Sequence, residues 1–348
     1  MNPKPPLVAI TMGDPAGVGP EIIPKALDDP HIRDCCRPVV YGNVARLRTG
    51  AAATGSSARF YALSSIHDRD PDRRAVPVVE PAGIEAPSPA WGEPTAANGA
   101  AMAAYLNRAI DDALAGRIDA IATAPINKLA LNMAGVHAAG HTEILARRTG
   151  ARNYAMMLAG ERLRVVLATI HLPLRRVPAV LTTQRIADVV VLTARVLATR
   201  FGIPRPRIAV AGLNPHAGEG GLFGDEEATV IGPAVDRTTR QGLAVSGPHP
   251  PDTVFFRAAQ GAYDAVVAMY HDQALGPFKM IHFDDGINTT LGLPFVRTSV
   301  DHGTAYDLAG TGSASAASMR SAIVMAASQA RWHERTRTQP AALQPMSP

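Results

Sequence analysis

Short apolar runs alternate with amphipathic stretches along this chain, and most runs end in a polar or glycine-rich tip. Val8-Ala9-Ile10-Thr11 predicts a buried strand running into Gly13-Asp14-Pro15-Ala16-Gly17-Val18-Gly19. A helix should start near Pro20, since proline suits the first helical position and Glu21 suits the positive end of the helix dipole. Residues 38–42 read as a second strand, whereas 50–94, rich in Ala, Ser, Pro and Arg without a period, read as a peripheral irregular segment. Thr95 to Gly116 predicts a long helix with Asp111 and Asp112 on its wet face, followed by a strand over 118–123.

The same order then repeats. Residues 164–170 form an apolar run ending at His171, 182–201 a helix, and 207–213 a run ending at Asn214-Pro215-His216. After a helical stretch over 225–241, Ala265 to Tyr270 leads directly into His271-Asp272-Gln273. Strands alternating with helices predict an α/β fold whose largely parallel or mixed sheet is covered by helices. The tail after Gln329 reads as frayed.

A length of 348 residues exceeds the roughly 250–300 at which single cores stop growing, so two lobes or one interleaved α/β unit are expected. The net charge is +4, but only Lys4, Lys25, Lys128 and Lys279 are lysines, which singles out Lys128 and Lys279 inside motif-like segments. Scattered arginines without interleaved aromatics argue against nucleic-acid binding. Adjacent Cys35 and Cys36 form no CxxC pair and suit a reducing compartment. No signal peptide and no apolar run of roughly 20 residues is present, so a cytoplasmic protein without a membrane partner is expected.

Three histidines, His171, His216 and His271, follow apolar strands, whose tips meet at one crevice when strands share a direction. Three imidazoles with room for a substrate oxygen make a divalent-metal site, zinc favoured by ligand type. The pattern alone equally allows loop histidines that never meet. Gly140-His141-Thr142-Glu143 places an imidazole and a hydroxyl at a helix start, suited to an anion or to a simple cap. Lys279, Asn288 and Arg297 offer a point charge, an amide and a fork, a set that suits a phosphorylated, carboxylated metabolite. Asp252 and Asp272 are candidate carboxylates near that chemistry, or helix caps. The glycine spacing at 13–19 is not GxGxxG, so it gives no Rossmann fingerprint.

Seven runs together resemble one family: ITMGDPAGVGPEI (10–22), TAPINK (123–128), GHTE (140–143), TIHLPL (169–174), GLNPHAGEGGLFGDEE (212–227), AMYHDQ (268–273) and GINTTLGLPFVRTSVDHGTAYDLAGTG (286–312). They are similar to the 4-hydroxythreonine-4-phosphate dehydrogenases of vitamin B6 synthesis and reach from residue 8 to about 325. The resemblance implies a two-lobed fold like that of isocitrate and isopropylmalate dehydrogenases, with a cleft between the lobes. On this basis the expected lobes are 1–125 with 286–330 on the cofactor side and 126–285 on the metal and substrate side, with 331–348 a disordered tail.

The resemblance further implies His171, His216 and His271 as metal ligands, in a homodimer whose metal site draws on both subunits. His141, Thr142, Lys279, Asn288 and Arg297 match substrate contacts, and Asp301, His302, Gly303 and Asp307 lie in a loop similar to the adenosine-side loop for NAD. Lys128, Asp252 and Asp272 are the candidates for the general base. The implied reaction is NAD-dependent oxidation of 4-phosphohydroxy-L-threonine to a β-keto acid that decarboxylates. Its cation is zinc, with cobalt, manganese or magnesium as alternatives. Related subfamilies act on D-threonate or D-erythronate 4-phosphate or on a cyclic dihydrodiol dicarboxylate. The run 156–165 resembles the vitamin B6 enzymes, while Gly276-Pro277-Phe278 and the 283–286 loop depart from them. A non-catalytic metabolite-binding homologue is the alternative from another class.

Overall fold

Short segments rich in Val, Ile, Leu and Ala become many of the strands, and their burial lets the core form with few aromatics. The computed structural model describes residues 4–69, 75–84, 90–138 and 140–338. The chain divides into two units, residues 1–151 with 293–331 and residues 152–292 with 332–348.

In the first unit the strands are β1 (Leu7–Thr11), β2 (Arg37–Tyr41), β3 (Phe60–Leu63), β4 (Val76–Val79) and β5 (Ala120–Thr123). They stand in the order β3-β4-β2-β1-β5, all parallel, with the later strand Val296–Val300 parallel to β5 beyond them. Val8, Ile10, Val39, Val40, Ile121 and Val296 are fully buried, as sheets covered on both faces require. The helix Ala96–Leu114 lays Met102, Leu106 and Ile110 into this core, and Thr95 caps it by accepting the Asn98 N–H at 3.1 Å.

Two expectations change here. The described part of 50–94 is not merely peripheral, because β3 and β4 extend the sheet and bury Phe60, Val76, Val78 and Val79. Pro77 is tolerated since β4 pairs with β2 only through Val78 and Val79. Asp112 is not on the wet face: it is fully buried, accepting the Tyr41 hydroxyl at 2.5 Å and Arg117 Nε at 2.7 Å, while Asp111 stays exposed. Asp112→Ala would strand the Tyr41 hydroxyl and unpair Arg117, and an expected loss of about 3 kcal/mol in chemical denaturation checks this.

The second unit contains β6 (Ala155–Ala159), β7 (Arg164–Leu167), β8 (Ile208–Ala211), β9 (Val245–His249), β10 (Ala265–Ala268) and β11 (Ile287–Leu291); Val296–Val300, in the first unit, is β12. Their order is β11-β6-β7-β10-β8-β9, antiparallel through β11-β6-β7 and parallel from β7 to β9. The helix Thr183–Arg200, capped by Thr182, buries Ile186, Val190 and Leu197. Glu227–Ile231 is a π-helical turn before the helix Gly232–Arg240, within the stretch expected to be one helix.

Residues 126–151 group with the first unit, where Leu131, Ile144 and Leu145 join its core, although the expected boundary was at 125/126. Residues 286–292 go with the second unit, because β11 pairs with β6. The tail expected to be disordered is helical as far as it is described: the helix Ala317–Thr338 continues past Gln329, and Thr336 Oγ1 donates to the Thr199 carbonyl at 3.3 Å. Residues 339–348 lie outside the described residues. No single described helix is long and apolar enough to cross a membrane.

Candidate active site

The strand order places β7, β10 and β8 side by side and parallel, so the segments leaving their carboxyl ends emerge at one edge. Those segments carry His171, His271 and His216 respectively. The rings of His171 and His271 are neighbours, with centroids 5.6 Å apart. His271 Nδ1 is bonded to Asp272 Oδ1 at 2.8 Å, which orients the ring. Both rings reach solvent, and the Asp272 side chain is 91% exposed.

His216 does not join them within one chain. Among the described residues no group of three His, Cys, Asp or Glu side chains could hold a metal ion. Its ring instead faces Phe223, with centroids 6.3 Å apart. Residues 216–220 all have left-handed φ, from 42° to 84°, and His216, Ala217 and Glu219 adopt it without being glycine. Each such residue costs about 1–2 kcal/mol, so the turn is held by its surroundings and not by local preference.

In the first unit a second polar group surrounds the start of the helix His141–Thr149. Arg297, on β12, is buried and donates to Thr123 Oγ1 at 2.8 Å, and Thr123 donates to Ser299 at 2.9 Å. Burial pushes the Arg297 pKa down to about 9, partly offset by Glu143, so the guanidinium remains cationic at neutral pH. Burial and the nearby Arg297 charge hold the His141 imidazole well below its usual range, which leaves it neutral. His141 Nε2 is buried without a hydrogen-bond partner among the described residues. A neutral ring nitrogen beside a buried cation fits an anionic, hydroxylated ligand. Thr142 is buried in the first turn and does not cap the helix.

The loop after β12 is anchored from beneath. Glu21 is fully buried and accepts the Gly312 N–H at 2.6 Å and the Gly310 N–H at 3.0 Å, a role beyond the expected dipole contact. Tyr306 donates to Asp14 Oδ2 at 2.5 Å, and Val18 N–H donates to the Thr304 carbonyl at 3.0 Å. The glycines at 13–19 serve this packing. A Cβ on Gly13, at φ +70°, would fall 2.2 Å from the Pro125 carbonyl oxygen, and one on Gly19 would fall 2.1 Å from that of Met12. Above these anchors His302, Gly303 and Asp307 are exposed, Asp301 is half-buried, and a Cβ on Gly303 would meet nothing within 4 Å. An open loop on a rigid base fits a cofactor.

The remaining candidates divide between the units. Lys128 is exposed at the first position of the helix Lys128–Met133. Asp252 is exposed in the first turn of the helix Pro251–Ala259. Lys279 lies on the helix His271–Ile281, its Nζ 5.5 Å from the Phe283 ring centre. Asn288, on β11, has a buried Oδ1 without a hydrogen-bond partner among the described residues. Sequence reasoning missed Asp14, Thr123, Tyr306 and the anchoring task of Glu21, since each is paired with a group more than 170 residues away in the chain.

Comparison with known proteins shows which family the chain belongs to. The family model described as pyridoxal phosphate biosynthetic protein PdxA matches residues 34–326. A 4-hydroxythreonine-4-phosphate dehydrogenase of Desulfosudis oleivorans is 56% identical over 338 residues, covering 95% of this chain and 97% of that protein. A D-threonate 4-phosphate dehydrogenase of Salmonella typhimurium is 46% identical over 331 residues, covering 92% and 97%. The crystal structure of the 4-hydroxythreonine-4-phosphate dehydrogenase from Klebsiella pneumoniae matches with a TM-score of 0.84 and 44% identity, over 94% of this chain and 100% of that one. Likeness of this extent, in sequence and fold together, makes the assignment plain: the chain belongs to the PdxA family of pyridoxal phosphate biosynthetic proteins.

Proposed function

We propose that the protein is a metal-dependent, NAD-linked dehydrogenase of 4-phosphohydroxy-L-threonine, acting in the cytoplasm. Oxidation of the secondary alcohol gives a β-keto acid, which loses CO2 to leave 3-amino-2-oxopropyl phosphate. The observation that carries the reading is the departure of His171, His271 and His216 from three adjacent parallel strands. The 56% identity to a protein of that name supports the substrate.

His171 and His271, with rings 5.6 Å apart and His271 held by Asp272, fit two ligands of one divalent cation. In a homodimer the partner's His216 completes the set, with zinc favoured by three imidazoles and cobalt, manganese or magnesium as alternatives. Such a cation, when bound, acidifies the alcohol and polarises the ketone, and NAD takes the hydride. The half-exposed to largely exposed Leu172, Leu174, Leu222 and Phe223, close in sequence to His171 and His216, support a second copy covering these segments.

Within the first unit Arg297 neutralises an anionic group of the substrate beside His141 and Thr142, and the family likeness adds Lys279 and Asn288 as further substrate contacts. Neutral His141 gives a hydrogen bond without adding charge. Lys128 and Asp252 are the candidates for taking the hydroxyl proton, and Asp272 either shares that task or serves only to hold His271. The 301–310 loop, with Asp301, His302, Gly303 and Asp307, takes the adenosine side of NAD.

The 46% identity to a D-threonate 4-phosphate dehydrogenase supports a second reading, in which that hydroxy acid is the substrate. Following NADH formation on 4-phosphohydroxy-L-threonine, D-threonate 4-phosphate and D-erythronate 4-phosphate separates the two. The expected result is the highest kcat/KM on 4-phosphohydroxy-L-threonine, abolished by chelator. A higher value on either other acid would overturn the substrate assignment.

A further inference from the structure

A chain of buried hydrogen bonds runs beneath the three histidine-bearing strand ends, and its members are neither metal-ligating nor exposed. Thr169, two residues before His171, donates its hydroxyl to the Met269 carbonyl at 2.7 Å. Met269, two residues before His271, donates its N–H to Gln273 Oε1 at 2.6 Å. Gln273 Nε2 in turn donates to the Gly212 carbonyl at 2.6 Å, at the root of the turn that carries His216. Thr169 and Met269 are fully buried and Gln273 is 7% exposed, so none of these groups exchanges its partner for water. One carboxamide therefore spans from β10 to β8, using its donor on one strand end and its acceptor on the other.

The turn it grips is the strained one. From the far side Glu227 Oε1 accepts the Leu213 and Asn214 N–H groups, each at 2.7 Å, and Glu227 Oε2 takes the Asn214 side chain at 3.0 Å. Gly212 is thereby fixed at its carbonyl by Gln273 while the next two residues are fixed at their amides by Glu227. Five residues in left-handed conformation follow. A segment so unfavourable locally keeps its shape only if its entry point is held, and Gln273 is the group tying that entry point to the strand of His271.

We propose that Gln273 is a positioning residue whose carboxamide sets the 212–221 turn against the end of β10 and so determines where His216 is presented. The inference rests on the reading of His216 as a metal ligand, and it adds the means by which that ligand is placed. Gln273→Met fills the same space without polar atoms. Gln273→Glu keeps an acceptor for the Met269 N–H and, ionised, offers no hydrogen to the Gly212 carbonyl, so it is assayed at about pH 9, where burial no longer keeps the carboxyl protonated. The account places Gln273→Glu with Gln273→Met, whereas a residue that only fills volume or serves Met269 would let Gln273→Glu behave as wild type. Tyr41→Phe, which removes a buried hydrogen bond in the other unit, controls for lost stability alone.

Hydrogen exchange of the full-length, metal-free protein and zinc affinity by competition with a chromophoric chelator read the effect separately. Both Gln273 variants should speed exchange over residues 213–221 by about 10-fold or more, with Tyr41→Phe unchanged there. Zinc affinity should fall by about 10- to 100-fold in the same two variants. Unaltered exchange over 213–221, or wild-type behaviour of Gln273→Glu, would overturn the proposal. Faster exchange together with unaltered zinc affinity in both the Gln273 variants and His216→Ala would uphold the hold on the turn and refute His216 as a ligand instead.

Discussion

His216→Ala should lower NAD-linked turnover by at least about three orders of magnitude while leaving the fold in place. The imidazole is exposed, and its ring neighbour is Phe223, with centroids 6.3 Å apart, so its loss should shift stability by no more than about 0.5 kcal/mol. Its backbone sharpens the prediction. At φ 53° the residue bears a left-handed penalty that alanine retains and glycine relieves. His216→Gly should therefore be more stable than the wild type by about 0.5–1 kcal/mol and equally inactive. Zinc competition and chemical denaturation on the two variants check both halves. An active His216→Ala protein with its metal still bound would reject the ligand role.

Arg297→Met should reduce kcat/KM on the phosphorylated substrate by about 10²–10³-fold, equivalent to about 3–4 kcal/mol. Arg297→Lys should recover only part of this, because an ammonium lacks the planar fork. Stability should move the other way or not at all. Burial lowers the Arg297 pKa relative to the unfolded chain, so the folded state disfavours the cation at neutral pH, and methionine removes that cost. The same charge acts on His141. With its folded pKa depressed, His141 stays neutral while the unfolded chain takes up a proton below about pH 6.5, so its share of stability is full above that value and declines as pH falls through it. Arg297→Met removes a nearby positive charge, brings His141 closer to its ordinary value and should shrink this acid-side loss. Thermal melts across pH 5–8 would show it, and a steeper acid loss in the variant would contradict the pairing.

Much of this was readable in the chain. The apolar runs 265–270 and 207–213 contain the strands 265–268 and 208–211, and the histidine soon after each follows its strand's carboxyl end. Four-residue β3 and β4 were hidden because Arg, Ser and Pro dilute the segment and Pro77 argues locally against a strand. Asp112 looked solvated by residue type, yet with Tyr105 and Ala109 it continues the buried face at i, i+4 and i+7, where Tyr41 and Arg117 satisfy it. Glu21 and Gln273 were harder. Each acts on backbone groups remote in sequence or across strands, and no residue pattern announces an acceptor for Gly312 or a donor for Gly212. The family likeness already implied a metal site drawing on two subunits, but the left-handed turn that carries His216 was illegible, because its non-glycine residues do not favour that conformation.

The central claim is that one cation is shared by His171 and His271 of one subunit and His216 of another. Its most direct measurement pairs two inactive chains, His171→Ala and His216→Ala, co-expressed with different tags and purified as the mixed dimer. In that dimer one site loses both ligands and the other keeps all three, so about half of wild-type turnover per dimer should return. If each site were built from a single chain, both would remain broken, and a mixed dimer without activity would contradict the account.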